Sequence, residues 1–147
     1  MLSNIDIVRE QIRIAMGEKL SFPQKDVKLK GHVIECRINA EDTKKDFIPC
    51  AGKIEGFVMP GGFGVRVDTH CYQGYTIPPY YDSLIGKLIC WGETRNVARR
   101  RMYQALKEYV ITGVNTTIPF HQDIVEDEVF ITGNYDTGFL DDYYKRK

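Results

Sequence analysis

The sequence predicts an α+β fold, a mostly antiparallel sheet flanked by helices, with residues 1–147 forming one domain. The prediction rests on a helical apolar stripe near the start, a series of strand-like runs between His32 and Trp91, and further helical stripes after Thr94.

Asn4 can cap the first helix, along which Ile5, Val8, Ile12 and Ala15 recur at helical spacing until Gly17 stops it. The stripe starts close to Met1, so further structure is expected to precede it. Ser21 to Lys30 is short enough to be an ordinary loop. From His32 to Asn39 the period becomes two: His32, Ile34, Cys36 and Ile38 share one side, Val33, Glu35, Arg37 and Asn39 the other. Lys53 to Met59 predicts a second strand, bounded by Gly52 and the Pro60-Gly61-Gly62 turn. Gly64 to Cys71 predicts a third, with Arg66, Asp68 and His70 projecting together from one face. Pro78-Pro79 removes two N–H donors and interrupts the ladder before a fourth strand, Leu84 to Trp91, which Gly92 closes.

Thr94 can cap the next helix, whose stripe of Val97, Ala98, Met102, Ala105, Leu106 and Tyr109 runs to about Gly113. Another helix is predicted from near Thr117, with Pro119 in its first turn and Phe120 and Ile124 facing inward. Gly138 to Lys147 forms a short terminal helix docked through Phe139, Tyr143 and Tyr144.

Composition excludes several classes. A chain of 147 residues, 43% hydrophobic and 27% charged, can bury a real core, and no apolar run approaches the roughly 20 residues a membrane span needs. Twenty basic and twenty acidic side chains leave no excess cation for a phosphate backbone, so nucleic acid is not an expected partner. Arg95 and Arg99 to Arg101 read as a solvated helix face or an interface with acidic groups. Cys36, Cys50, Cys71 and Cys90 are far apart, without C-x-x-C pairs or histidines at finger spacing, so no metal site is expected. They read as free thiols, and with no basic-then-apolar leader the chain is expected in a reducing cytoplasm.

Gly61-Gly62-Phe63-Gly64 is not a dinucleotide fingerprint, because Val67 stands where a third glycine is needed and no helix follows. Its glycines serve a tight turn, with positive φ expected at Gly61 and Gly62. Gly86-Lys87 is not a P-loop, since Leu88 follows it. His32, His70 and His121 stand in no recognisable nucleophile–base arrangement with the thiols. Arg66 is the candidate polar residue: its planar fork suits an anionic oxygen, and equally a carboxylate such as Asp68 or Asp82.

Several blocks, in order, resemble the C-terminal domain of biotin carboxylase. They are Ile5-Asp6-Ile7-Val8 with Glu10-Gln11, GHVIECRINAED from Gly31 to Asp42, Ala51-Gly52-Lys53-Ile54, the tract PGGFGVRVDTHCYQGYTIPPYYDSLIGKLICW from Pro60 to Trp91, Thr116-Thr117-Ile118-Pro119-Phe120, and Gly133 to Leu140. The wording is most similar to the bacterial acetyl-CoA carboxylase component of fatty acid biosynthesis; pyruvate and acyl-CoA carboxylases share the domain. The loops at Thr43-Lys44-Lys45 and Cys50-Ala51 depart from the commoner pattern of proline and Ser-Pro.

The resemblance implies an ATP-dependent ligase that uses magnesium to activate bicarbonate and then carboxylates biotin on a carrier protein. Its ATP-grasp domain, absent from this sequence, holds the nucleotide and metal residues. This portion would therefore retain none of the cofactors and be inactive alone, with residues 1–20 forming the helix that connects from that domain. Carried over by resemblance are Arg66 as the arginine stabilising the biotin enolate, with Asp68 and Asp82 beside it. Thr137 and Gly138 would edge the adenine pocket, and Trp91 and Arg95 would lie at a homodimer interface. Implied partners are the ATP-grasp domain, the biotin carboxyl carrier protein and a second copy. The alternative reading is an autonomous binding or scaffold module for the carrier or for the partner chain.

Overall fold

The structure, a computed structural model, describes residues 1–146; the last residue of the expected terminal helix, Lys147, lies outside them. The first helix, α1 (Ile7–Ala15), is capped by Asp6, whose carboxylate accepts the Arg9 N–H at 3.0 Å. Asn4, the expected cap, instead takes a left-handed φ of 56°. The cap moves because Asp6 has the extended backbone that aims a side-chain oxygen at the first free N–H groups. Ile7, Val8, Ile12 and Ile14 stay exposed. Glu10 is the buried residue of this helix, held by the N–H and hydroxyl of Ser21 at 3.0 and 2.8 Å.

Strand β1 (His32–Asn39) has the predicted bounds. It is followed by a hairpin of β2 (Glu41–Asp42) and β3 (Ile48–Pro49), whose loop puts Asp46 and Phe47 at positive φ. The strand expected over Lys53 to Met59 divides into β4 (Gly52–Lys53) and β5 (Gly56–Val58). Next come β6 (Val65–Thr69), β7 (Thr76–Ile77), β8 (Leu84–Gly92), α2 (Arg95–Glu108) and β9 (Val110–Thr112). The division is a matter of partners: β4 pairs with β7 while β5 pairs with β9, so no single ladder spans both.

The main sheet is β1-β8-β6, antiparallel throughout. Its register makes two faces. Rows Ile34–Cys90–Val65, Cys36–Leu88–Val67 and Ile38–Gly86–Thr69 form the inner face, on which α2 lays buried Ala98, Met102, Ala105 and Leu106. Rows Glu35–Ile89–Arg66 and Arg37–Lys87–Asp68 form the outer face. Cys36, Cys71 and Cys90 are buried as small hydrophobes; burial pushes the Cys36 thiol up to about 12 and that of Cys90 to about 11.

Thr94 caps α2 as expected, accepting the Val97 N–H at 3.3 Å. The helix stops at Glu108, short of Gly113, because Tyr109 turns extended and the next three residues pair with β5. A third helix, α3 (Ile118–Glu126), buries Ile118 and Ile124 but leaves Phe120 half-buried against Phe47, ring centroids 5.1 Å apart. Asp127 then caps a short α4 (Glu128–Thr132) that ends on left-handed Gly133, and α5 (Phe139–Arg146) buries Tyr143.

Thr117 sits at the start of α3 yet spends its hydroxyl on β1. It donates to the Arg37 carbonyl at 3.1 Å and accepts the Asn39 N–H at 3.0 Å, while its own N–H reaches the Asn39 carbonyl at 3.1 Å. His121 Nε2 meets the same Arg37 carbonyl at 2.9 Å. A carbonyl only accepts, so this nitrogen carries the proton.

Two outcomes follow from this packing. A Cβ at Gly92 would overlap the backbone of Val97 and Ala98, lying 2.8 Å from the Val97 carbonyl carbon, whereas one at Gly61 meets nothing within 4 Å. Gly92→Ala should lower stability by about 1–3 kcal/mol or more, and Gly61→Ala should change it by less than about 0.5 kcal/mol, read from urea midpoints. Burial holds the His121 imidazole below its ordinary value near 6.5, against the opposing pull of the Arg37 carbonyl and Glu41. The unfolded chain therefore binds this proton first. The histidine's contribution is complete above about pH 6.5 and is lost as pH falls through the lower folded value. Urea midpoints should drop between pH 7.5 and 5.5, and His121→Gln should flatten that slope.

Candidate functional site

The outer face of the sheet is where the sequence-predicted polar residues gather. Arg66 and Asp68, two apart on β6, point the same way, and Nε and Nη2 of Arg66 each donate to a different Asp68 oxygen at 2.7 Å. One edge of the planar fork is thus clamped by a bidentate carboxylate, which fixes the plane of the guanidinium. The pairing raises the guanidinium pKa further, through the hydrogen bond first and the charge second. The opposite edge is open: the Arg66 side chain is 56% exposed, and among the described residues Nη1 has no hydrogen-bond partner.

Arg37 stands on the same face one row along, opposite Lys87. Its Nη2 makes one long contact, 3.5 Å, with Asp82 Oδ2, and its side chain is 54% exposed. Asp82 belongs to the wall of a cavity of about 370 Å³, together with His70, Tyr75, Ile77, Pro78, Tyr81 and Leu84. The structure therefore divides the expected cluster: Asp68 goes with Arg66, and Asp82 goes with Arg37. His70 follows the end of β6 and turns to the cavity, edge-on to Tyr75 at 5.3 Å. Because the strand has ended, Cys71 is no longer opposed to His70, and its Sγ lies 3.6 Å from the ring. Burial pushes the Cys71 thiol upward, which keeps it protonated and unsuited to nucleophilic work.

Sequence reasoning does not single out Arg37, although a usable signal exists in GHVIECRINAED, where period two places Arg37 on the polar side of β1 with Glu35. Its carbonyl is held by two donors, from Thr117 and His121. Asp82 is fixed from the other side. The next residue, Ser83, is buried; its carbonyl accepts the Ala40 N–H at 2.8 Å and its hydroxyl donates to Glu41 Oε1. The same Glu41 oxygen accepts from Asn39 Nδ2 at 2.9 Å.

The remaining candidates lie elsewhere. Trp91 donates its indole N–H to the Lys30 carbonyl at 2.8 Å and stands edge-on to Phe63, which is 81% exposed. With Met1, Leu2 and Gly64 these two rings line a shallow, mainly apolar cavity of about 360 Å³. Arg95 is committed within the chain: Nη2 donates to the Phe130 carbonyl at 2.7 Å and to Tyr135 Oη at 3.2 Å, over the Phe130 ring. Thr137 is exposed in the turn before α5, where the Gly138 N–H is held by Asp136 Oδ1 at 2.8 Å. In the glycine turn, positive φ falls on Gly62 and Gly64 and not on Gly61; at Gly64 a Cβ would also meet the Arg101 guanidinium and, at 3.0 Å, the Trp91 carbonyl. Among the described residues no three His, Cys, Asp or Glu side chains converge to hold a metal ion, and no helix is long and apolar enough to cross a membrane.

Known proteins share this sequence pattern and this fold. The family model for the biotin carboxylase C-terminal domain matches residues 35–142. A pyruvate carboxylase component of Methanothermobacter thermautotrophicus is 54% identical over 143 residues, 97% of this chain and 29% of that protein. Biotin carboxylase of a Nostoc species is 55% identical over 145 residues, 99% of this chain and 32% of that protein. The chain is equally similar to the two. The biotin carboxylase domain dimer of Hydrogenobacter thermophilus 2-oxoglutarate carboxylase, solved with MgADP, ADP and bicarbonate, superposes with a TM-score of 0.95 at 50% identity, over 97% of this chain and 32% of that one. The chain thus spans about a third of the length of the relatives it matches. It belongs to the biotin carboxylase C-terminal domain family.

Proposed function

We propose that this chain supplies the biotin-facing cation of a cytoplasmic carboxylase that uses ATP and bicarbonate to carboxylate carrier-bound biotin, and that the cation is Arg66 oriented by Asp68. The observation that carries the choice is the geometry of that pair: two bonds at 2.7 Å clamp one edge of the fork and leave the other edge open on the sheet face. Before a ureido nitrogen can form its bond to the carboxyl carbon it must lose its proton, and the electron pair left behind is delocalised onto the ureido oxygen until that bond forms. A guanidinium already held in place beside that oxygen stabilises the charge as it develops, with no reorganisation at the moment of reaction. Asp68 is the orienting group. Asp82 serves the same face from the next row, against Arg37, on the wall of a cavity with apolar sides.

Activation of bicarbonate needs ATP and magnesium, and that step belongs to an ATP-grasp domain of the complete enzyme. The exposed apolar side of α1, with Ile7, Val8, Ile12 and Ile14, supports packing against it. The Phe63 and Trp91 surface supports contact with a second copy, while Arg95 contributes by holding the α4 segment in place. The biotin carboxyl carrier protein would present its biotin at the outer sheet face beside the Tyr81 and Asp82 cavity, and the segment at Thr137 and Gly138 would close the adenine side.

The test uses an enzyme completed by joining the upstream region of a biotin carboxylase relative to this chain. Arg66→Ala should reduce biotin carboxylation by about 100-fold or more. Arg66→Lys keeps the charge but loses the fork, so it too should fall sharply, while its urea midpoint stays near that of the unaltered enzyme. Activity of Arg66→Ala close to the unaltered enzyme overturns the assignment. The chain alone should show no bicarbonate-dependent ATP hydrolysis; measurable turnover from a clean preparation would contradict the division of labour described above.

A further inference from the structure

We propose that Glu41 is a positioning residue for biotin transfer, acting through Ser83 to set Asp82 against Arg37 at the cavity beside Arg66; this rests on the reading that biotin meets the outer sheet face. The Arg37–Asp82 pair cannot hold itself. A single contact at 3.5 Å, with both side chains more than half exposed, is too weak and too screened to fix two side chains in one geometry. Something else must set the spacing, and three hydrogen bonds converge to do so.

Glu41 is half-buried on β2, and its Oε1 accepts at once from the Ser83 hydroxyl and from Asn39 Nδ2. Backbone adds the third bond, from the Ala40 N–H to the Ser83 carbonyl. Asn39 turns its amide nitrogen toward Glu41, and a bond to a carboxylate is stronger than one to a neutral acceptor. Asp82 precedes Ser83 directly, and Arg37 lies two residues before Asn39. One carboxylate oxygen therefore ties together the two chain segments that carry the pair, at the point where the β1–β8 register shifts between Ile38 and Asn39. Bulges of this kind re-aim side chains, and here the shift is bridged by side-chain bonds together with that one backbone bond.

A purely structural Glu41 and a positioning Glu41 differ in which partial reaction they affect. In the completed enzyme, bicarbonate-dependent ATP cleavage and carboxylation of free biotin are measured side by side for Glu41→Ala, Glu41→Gln, Ser83→Ala and Glu41→Ala/Ser83→Ala. Glu41→Ala should depress biotin carboxylation roughly tenfold while ATP cleavage stays within about twofold, since misplacement by about an ångström has effects of this order or larger. Glu41→Gln keeps an acceptor oxygen and should restore most of the transfer. Ser83→Ala should act in the same direction as Glu41→Ala, and the double variant should be no worse than the more impaired single one, because both changes cut one link. Equal loss of both reactions, or no loss of either, overturns the proposal. Arg66→Ala serves as the control on the underlying reading: if it leaves biotin transfer intact, that reading fails, whereas an impaired Arg66→Ala beside an unaffected Glu41→Ala sinks only the role of Glu41.

Discussion

The two-sided pairing of β8 is the constraint on which the rest depends. It is the central strand, and its partners β1 and β6 both run antiparallel to it, so every residue along it fixes what lies on both sides. Leu88 and Cys90, fully buried, bring Cys36, Val67, Ile34 and Val65 onto the face that α2 covers. The residues between and beside them, Lys87 and Ile89, necessarily bring Arg37, Asp68, Glu35 and Arg66 to the opposite face. Hydrophobic burial on one side thus places the charges on the other. A slip of one residue would exchange the two sets, which the buried face forbids.

This register holds until Ile38, where it shifts, and Ile85 has no direct partner on β1. A shift costs ladder bonds, and buried backbone groups left without partners are expensive. Thr117 repairs the gap. Its hydroxyl and N–H satisfy the Asn39 backbone and contribute to Arg37, and His121 adds a second donor at the Arg37 carbonyl. The start of α3 is therefore a patch on the sheet as well as a helix entry. In consequence, Arg37 has a firmly held backbone beneath a lightly held guanidinium.

Much of this fold was legible because periodicity reports burial. His32 to Asn39 alternates cleanly, and its strand has the bounds the pattern implies; Thr94 caps the next helix as its chemistry requires. What stayed hidden depends on partners far along the chain. Lys53 to Met59 reads as one apolar run, yet its halves pair with segments near Thr76 and Val110 that no local pattern connects to it. Val110 and Ile111 continue an apolar stripe and so imitate more helix, although they form a strand. At the site, Arg66 and Asp68 could be read as a pair because they are neighbours on one strand face. Arg37 and Asp82 could not, since 45 residues separate them and only the folded β1–β8 pairing brings their segments together.

The contrast between the two arginines shows how pairing decides what a cation can do. Both are on strands, both face solvent, and both have a carboxylate within reach. Asp68 lies two residues from Arg66 on the same strand face, a spacing that lets fork and carboxylate meet in parallel. The clamp takes up one edge and fixes the direction of the other, so the charge is aimed before any ligand arrives. Asp82 instead reaches Arg37 from a loop whose position is set by Ser83 and Glu41, and it meets the fork at one nitrogen. A guanidinium met at one nitrogen can still turn about that contact, even though the loop carrying its carboxylate partner is held in place. On the proposed reading, stabilising a charge that exists only in the transition state falls to the aimed group, because a fork already fixed in direction needs no reorganisation as that charge develops.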